Sequence, residues 1–112
     1  MLTEKEMQEK RKLFSETDRH LAATFKALGD VTRFRIFHLL TDHPQISVST
    51  IAKILHISPP LASQHVKGLV HAQLLTKNRV GKKIFLQLDG RHVITRELKR
   101  SIQRATKATP AP

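Results

Sequence analysis

The chain has 112 residues, enough for one domain with a modest core. Twenty Lys and Arg against nine Asp and Glu leave a net charge of +11, a field that attracts nucleic acid or an anionic membrane surface. There is no Cys, which excludes disulfide scaffolds, Cys-based zinc fingers and thiol redox chemistry. Five Phe with no Tyr or Trp argue against folds that stack unpaired bases.

Hydrophobic residues make up 39%, in periodic clusters that indicate a folded domain. No apolar run approaches the roughly 18 residues of a membrane span, and residues 1–13 are charged without an apolar signal core. The expected location is the cytoplasm, with no membrane partner. The chain carries no P-loop, no Gly-rich dinucleotide fingerprint, no His-Glu-x-x-His and no nucleophile elbow. No enzymatic activity and no cofactor are expected.

Thr3 and Glu6 have the spacing of a capping box, so residues 3–15 read either as a helical arm or as a frayed tail. Across residues 18–28, Leu21, Phe25 and Leu28 recur at helical spacing, and Gly29 follows as a C-terminal cap. Asp30 is an N-cap for a helix carrying Phe34, Phe37 and Leu40, widened by Ile36 and Leu39, with Pro44 in the loop after it.

Ser49 is the expected cap of a short helix bearing Ile51, Ala52 and Leu55. His56, Ile57 and Ser58 make a tight connection to a second helix with Ala62, Val66 and Leu69 facing inward. Two short helices joined by about three residues are the helix-turn-helix signature. Ser58 before Pro59 reads as a cap with a first-turn proline, yet Pro60 disfavours helical geometry at Pro59, which places the start at Pro60. Gly68 inside this helix suggests a close approach to another backbone.

Residues 74–88 alternate on both sides of Gly81, giving a β-hairpin whose tip carries Lys77, Arg79, Lys82 and Lys83. A basic hairpin directly after a helix-turn-helix is a wing. A last helix follows, with Val93, Ile94, Leu98 and Ile102 as its apolar stripe and Arg96, Lys99, Arg100 and Arg104 basic. The expected fold is mainly α with a small β-hairpin wing, a winged helix-turn-helix. Its organisation reads as an arm over residues 1–17, the domain over 18–106 and a disordered tail over 107–112.

The segment FKALGDVTRFRIFHLL at residues 25–40 resembles the signature of the ArsR/SmtB family of winged-helix repressors. ISVSTIAKILHISPPLASQHVKGLVHAQLL at residues 46–75 resembles that family's helix-turn-helix, including its Ser-x-His-x-x-x-Leu core at Ser63, His65 and Leu69. The resemblance spans roughly residues 20 to 100. It implies a homodimer paired through the first and last long helices, with two recognition helices in successive major grooves. The apolar stripes of those helices have no other evident cover in so small a chain. A two-fold dimer would set its reading heads about one DNA turn, roughly 34–36 Å, apart. Leu21, Phe25, Val93, Ile94, Leu98 and Ile102 are the expected dimer interface.

With Ala62, Val66 and Leu69 inward, Pro60, Ser63, Gln64 and Lys67 face out, and Leu61 lies near the tip. Gln64 can pair bidentately with adenine, Ser63 can meet base or phosphate, and Leu61 a thymine methyl. Ser58, His65 and Lys67 complete the expected DNA-binding face on this helix. His65 is equally readable as packed, as phosphate-bound or as a base reader. Lys77, Arg79, Lys82 and Lys83 are expected at phosphate or in the minor groove, where they position the protein without specifying sequence.

Family members that release DNA on binding metal use a Cys-x-Cys pair in the first helix of the motif, and Ser47 and Ser49 stand at those positions. A second family site on the last helix aligns with Gly90, His92, Gln103 and Thr106, of which only His92 is a ligand type. No metal site is therefore expected, although His20 and His92 on the pairing helices could approach each other across a dimer. His38 and His43 have poor helical spacing for a shared ion. The effector, if one exists, is not named by the sequence. The expected function is a sequence-specific duplex-DNA regulator, a homodimeric repressor of a palindromic operator. A non-specific architectural DNA protein is the alternative, since the charge of +11 serves it equally well.

Overall fold

The computed structural model describes residues 1–108, and helix α1 (Glu4–Arg11) opens it. Both halves of the capping box form: the Glu6 amide donates to Thr3 Oγ1 at 3.1 Å and the Thr3 amide to Glu6 Oε1 at 3.0 Å. Acidic residues in the first turn and Lys10 and Arg11 in the last complement the helix dipole. Residues 4–11 are thus a helical arm rather than a frayed tail, but the arm buries no residue. The radius of gyration is 17.3 Å, against about 13 Å for a compact chain of this length.

Helix α2 (Glu16–Leu28) starts two residues before the apolar pattern suggested, so the boundary expected after residue 17 falls inside its first turn. Ser15 and Asp18 form a second capping box, in which the Ser15 amide donates to the Asp18 carboxylate at 2.9 Å. Helix α3 (Val31–Asp42) is capped by Asp30, which accepts the Arg33 amide at 3.0 Å. It is the central helix: Ile36, Phe37 and Leu40 are fully buried, and Phe34 and Leu39 are half-buried beside them.

A strand that the sequence did not disclose comes next. Strand β1 (Ile46–Ser47) is two residues long, too short for any alternation to show. It pairs antiparallel with β3 (Lys83–Leu88), which pairs on its other edge with β2 (Leu75–Val80), giving the order β1-β3-β2. The register sets Ile46 opposite Leu86 and Leu75 opposite Leu88. Gly81 leads the two-residue turn between β2 and β3 with φ +62°, a conformation that the missing Cβ makes inexpensive.

Because β1 ends at Ser47, this serine and not Ser49 caps helix α4 (Val48–Leu55). Ser47 Oγ accepts the Thr50 amide at 3.2 Å, donates to Thr50 Oγ1 at 2.8 Å and lies 3.2 Å from Ser49 Oγ. The helix ends at His56, which takes the left-handed conformation at φ 53°. Helix α5 (Pro59–His71) begins at Pro59 and not at Pro60. Both prolines fall in the first turn, where no amide donor is needed, and Ser58 Oγ accepts the Leu61 amide at 3.3 Å. The helix closes with Gln73 at φ 63° and with bonds from Leu74 N to Leu69 O and from Gln73 N to Val70 O, a Schellman motif. Gly68 does not meet another backbone: a Cβ there would lie 3.6 Å from the Arg33 side chain, an ordinary contact.

Helix α6 (Val93–Ala108) runs back across the fold, two residues into the tail expected to be disordered from residue 107. The remainder of that tail lies outside the described residues. The core gathers Ile36, Phe37, Leu40, Ile51, Val66, Leu69, Leu74, Leu75 and Leu86, and α6 contributes Ile102. Ile102 is only 7% exposed, so its assignment to the dimer interface is corrected: its own chain covers it. One turn earlier Leu98 packs half-buried on the same core.

Candidate nucleic-acid interface

Within the α4–α5 pair, Ala62 and Leu69 are wholly buried and Val66 nearly so, which turns the opposite face of α5 to solvent. Ser58, Pro60, Leu61, Ser63, Gln64 and Lys67 are all exposed on that side. They line an open concavity of about 670 Å³, and Lys77 of β2 closes it. Every side chain lining it was singled out from the sequence, and none is acidic.

His65 departs from this face. It is half-buried, and its Nδ1 lies 3.7 Å from Asp30 Oδ2 at the start of α3. Of its three readings, the packed one describes its place. The Asp30 carboxyl is held below its ordinary range, first by the Arg33 amide and further by the charges of His65 and Arg33, against the opposing effect of burial. Asp30 therefore caps one helix and faces the recognition helix at once.

The wing cations do not form one patch. Opposed residues of an antiparallel pair share a face, so Lys77 opposite Leu86 and Arg79 opposite Ile84 belong to one side. Lys83 opposite Val80 belongs to the other, where it lines a separate hollow with Ser47, Ile54 and Phe85. Lys82 stands in the turn itself. Among the described residues, the ion pairs involve none of Lys67, Lys77, Arg79, Lys82 or Lys83. These ammonium and guanidinium groups are uncommitted.

At the opposite end, Leu21, Val93 and Ile94 meet between α2 and α6 around a hollow of about 340 Å³. Phe25 and Val93 are 56% and 62% exposed, a large apolar surface for side chains of this kind. His20 and His92 do come together, but within one chain, with ring centroids 5.9 Å apart. Among the described residues no group of three or more His, Asp or Glu is placed to hold a metal ion. The Ser47 hydroxyl is occupied in capping α4, and the Ser49 hydroxyl lies 3.2 Å from it. No described helix is long and apolar enough to cross a membrane.

Sequence reasoning did not find Asp89, which fixes the entry to α6. It is 3% exposed and accepts Arg91 Nε at 2.9 Å and Arg91 Nη2 at 2.8 Å, with the Arg91 amide at 3.2 Å. Those bonds, the side-chain pair foremost, bring its carboxyl down to about 2. The signal available was Asp-x-Arg after a strand, which is too common a spacing to single out.

The three-stranded wing, the helix-turn-helix and the basic concavity define a winged helix-turn-helix transcriptional regulator. The chain is 31% identical over 84 residues to the cadmium resistance transcriptional regulatory protein CadC homolog of Staphylococcus aureus, covering 75% of this chain and 69% of that one. It belongs to the family of winged helix-turn-helix regulators that includes this protein. Residues 30–83 match a model described as the MarR family. The transcriptional regulator KmtR of Mycobacterium tuberculosis is 35% identical over 69 residues, which are 62% of this chain but only about half, 52%, of that one.

Solved structures show the same fold. HlyU from Vibrio cholerae superposes with a TM-score of 0.75 at 19% identity, over 84% of this chain and 99% of that one. A homodimeric winged helix-turn-helix domain from Mycobacterium bovis, described as a possible ArsR-family regulator, gives 0.71 at 21% identity, over 86% of each.

Proposed function

We propose that the chain is an ArsR/SmtB-type homodimer that represses transcription by binding a palindromic operator. The observation that carries this reading is the convergence of Ser58 at the cap of α5, Ser63, Gln64 and Lys67 along it, and Lys77 on β2 around one acid-free concavity. Gln64 and Ser63 supply base-reading groups, while Lys67 and Lys77 supply phosphate contacts on either side. Arg79 and Lys82 extend the phosphate contacts along the wing, and Lys83 reaches them only from its far face.

Leu21, Phe25, Val93 and Ile94 supply the seam with a second copy, and Leu98 borders it. The Mycobacterium bovis neighbour described as homodimeric supports the pairing of two copies. The cadmium named for the Staphylococcus aureus relative does not carry over through thiolates, because the resemblance places the family's Cys-x-Cys pair at Ser47, which caps α4, and at Ser49 beside it.

The deciding experiment is selection of bound sequences from a pool of random duplexes. An enriched inverted repeat with half-sites about one turn apart is the expected result. Affinity for the selected site equal to that for random DNA would instead identify a non-specific architectural protein.

A further inference from the structure

We propose that the cavity between the end of α3, strand β3 and the first turns of α6 is a binding site for a small amphipathic carboxylate. Its volume is about 390 Å³, at the small end of the range of roughly 300–1,000 Å³ in which small-molecule sites fall. Leu40 and Leu88 give it an apolar wall, while Gln87, Thr95, Arg96 and Lys99 supply polar groups.

Three features converge on one ligand chemistry. First, Thr95 is 1% exposed, and its Oγ1 is a buried side-chain oxygen without a hydrogen-bond partner. A buried hydroxyl so placed carries a desolvation cost that no hydrogen bond offsets. Thr95 stands in the first turn of α6, so the carbonyl four residues back precedes the helix and does not serve it. A ligand oxygen would be the missing acceptor.

Second, Arg96 and Lys99 take part in no ion pair among the described residues, and no acidic side chain lines the cavity. The Arg96 guanidinium is held in place by donating to the Gly90 carbonyl, which leaves further donors for an anion. Third, the leucine wall favours a ligand with an apolar body over a bare inorganic anion. Strand β3 runs from this cavity to Lys83 beside the wing turn, and α6 carries Val93, Ile94 and Leu98. An occupant would therefore touch both the DNA-facing hairpin and the pairing helix. That regulatory consequence rests on the proposed function, whereas binding itself does not.

The test titrates the full chain, free of DNA, with benzoate, benzamide and inorganic phosphate, followed by backbone amide shifts. Benzoate is expected to give saturable shifts at Gln87, Leu88, Thr95, Arg96 and Lys99. Benzamide and phosphate are each expected to bind at least tenfold more weakly. Lys99→Gln and Arg96→Gln should each weaken benzoate fivefold or more. Thr95→Val, nearly isosteric, should raise the melting temperature of the free protein and still weaken benzoate. Absence of saturable benzoate shifts at these positions overturns the proposal, as does equal binding of benzamide or phosphate or indifference to Lys99→Gln and Thr95→Val. Because no DNA is present, a negative result here leaves the operator reading to its own experiment.

Discussion

His65 on the recognition helix faces Asp30, the N-cap of α3, at 3.7 Å between Nδ1 and Oδ2. One carboxylate therefore starts the central helix and faces the helix proposed to enter the groove. Asp30→Ala is expected to lower the urea midpoint and to weaken operator binding, although Asp30 lies off the proposed DNA face. Asp30→Asn keeps a capping oxygen and should retain most of the stability while removing the negative charge that faces His65. Equal losses of stability for the two variants would separate the cap from the charge in the wrong direction.

Acid should expose the role of Asp89. Its folded carboxyl titrates at about 2, below the unfolded value near 3.9, so the stabilisation is complete above the unfolded value and lost as pH falls toward 2. Arg91 is itself 77% exposed, so solvent screening weakens what the pair contributes. Asp89→Asn should flatten the decline in stability between pH 4 and pH 2, as followed by circular dichroism during acid titration. An unchanged profile would show that the ion pair does not order the entry to α6.

Faces of the wing lead to unequal effects on DNA. Lys77→Ala should weaken cognate and random duplexes by similar factors and reduce the salt slope by about one phosphate's worth. Lys83→Ala should do less, because Lys83 lies on the opposite face of the hairpin. Gln64→Ala should cost about 1–3 kcal/mol on the selected palindrome and little on random DNA. Fluorescence anisotropy across a salt series measures all three. Equal losses from Lys77→Ala and Lys83→Ala would mean that the duplex does not lie in the concavity.

For assembly, the informative position is Val93, 62% exposed, rather than Leu98, which packs on its own core. Val93→Glu costs a lone chain little, yet in a dimer seam it places a carboxylate where desolvation is expensive. Sedimentation should show a folded monomer with reduced operator affinity. A variant that remains dimeric would move the seam away from α2 and α6.

Much of this fold was legible because its helices announce themselves. Asp30 and Ser58 cap helices in which the buried Ile36 and Leu69 recur at helical spacing, and Gly81 marks the wing turn. The exposed face of α5 followed from its buried face by geometry alone. What stayed hidden depended on pairing over distance. Ile46 and Ser47 form a strand only because Leu86 and Phe85 arrive 40 residues later in the chain, roughly, to pair with them, and that pairing moved the cap of α4 from Ser49 to Ser47. Ile102 turned inward for a similar reason: the next residue, Gln103, donates to the Thr41 carbonyl at 3.0 Å and seats α6 on the end of α3. The division of the wing cations between two faces needed the hairpin register, which alternation alone did not supply.

Strand β2 is the open border of the three-stranded sheet, since β3 lies in the middle and β1 is only two residues long. Such a border invites another chain to add itself as a further strand, and charged side chains are the usual deterrent. Lys77 and Arg79 stand along this border. The cations proposed to hold DNA would thus have a second occupation when no DNA is present, that of keeping neighbouring molecules from zipping onto the sheet. Neutralising both should bring a tendency to self-associate through β-structure, and bound duplex, by covering the wing, should suppress it.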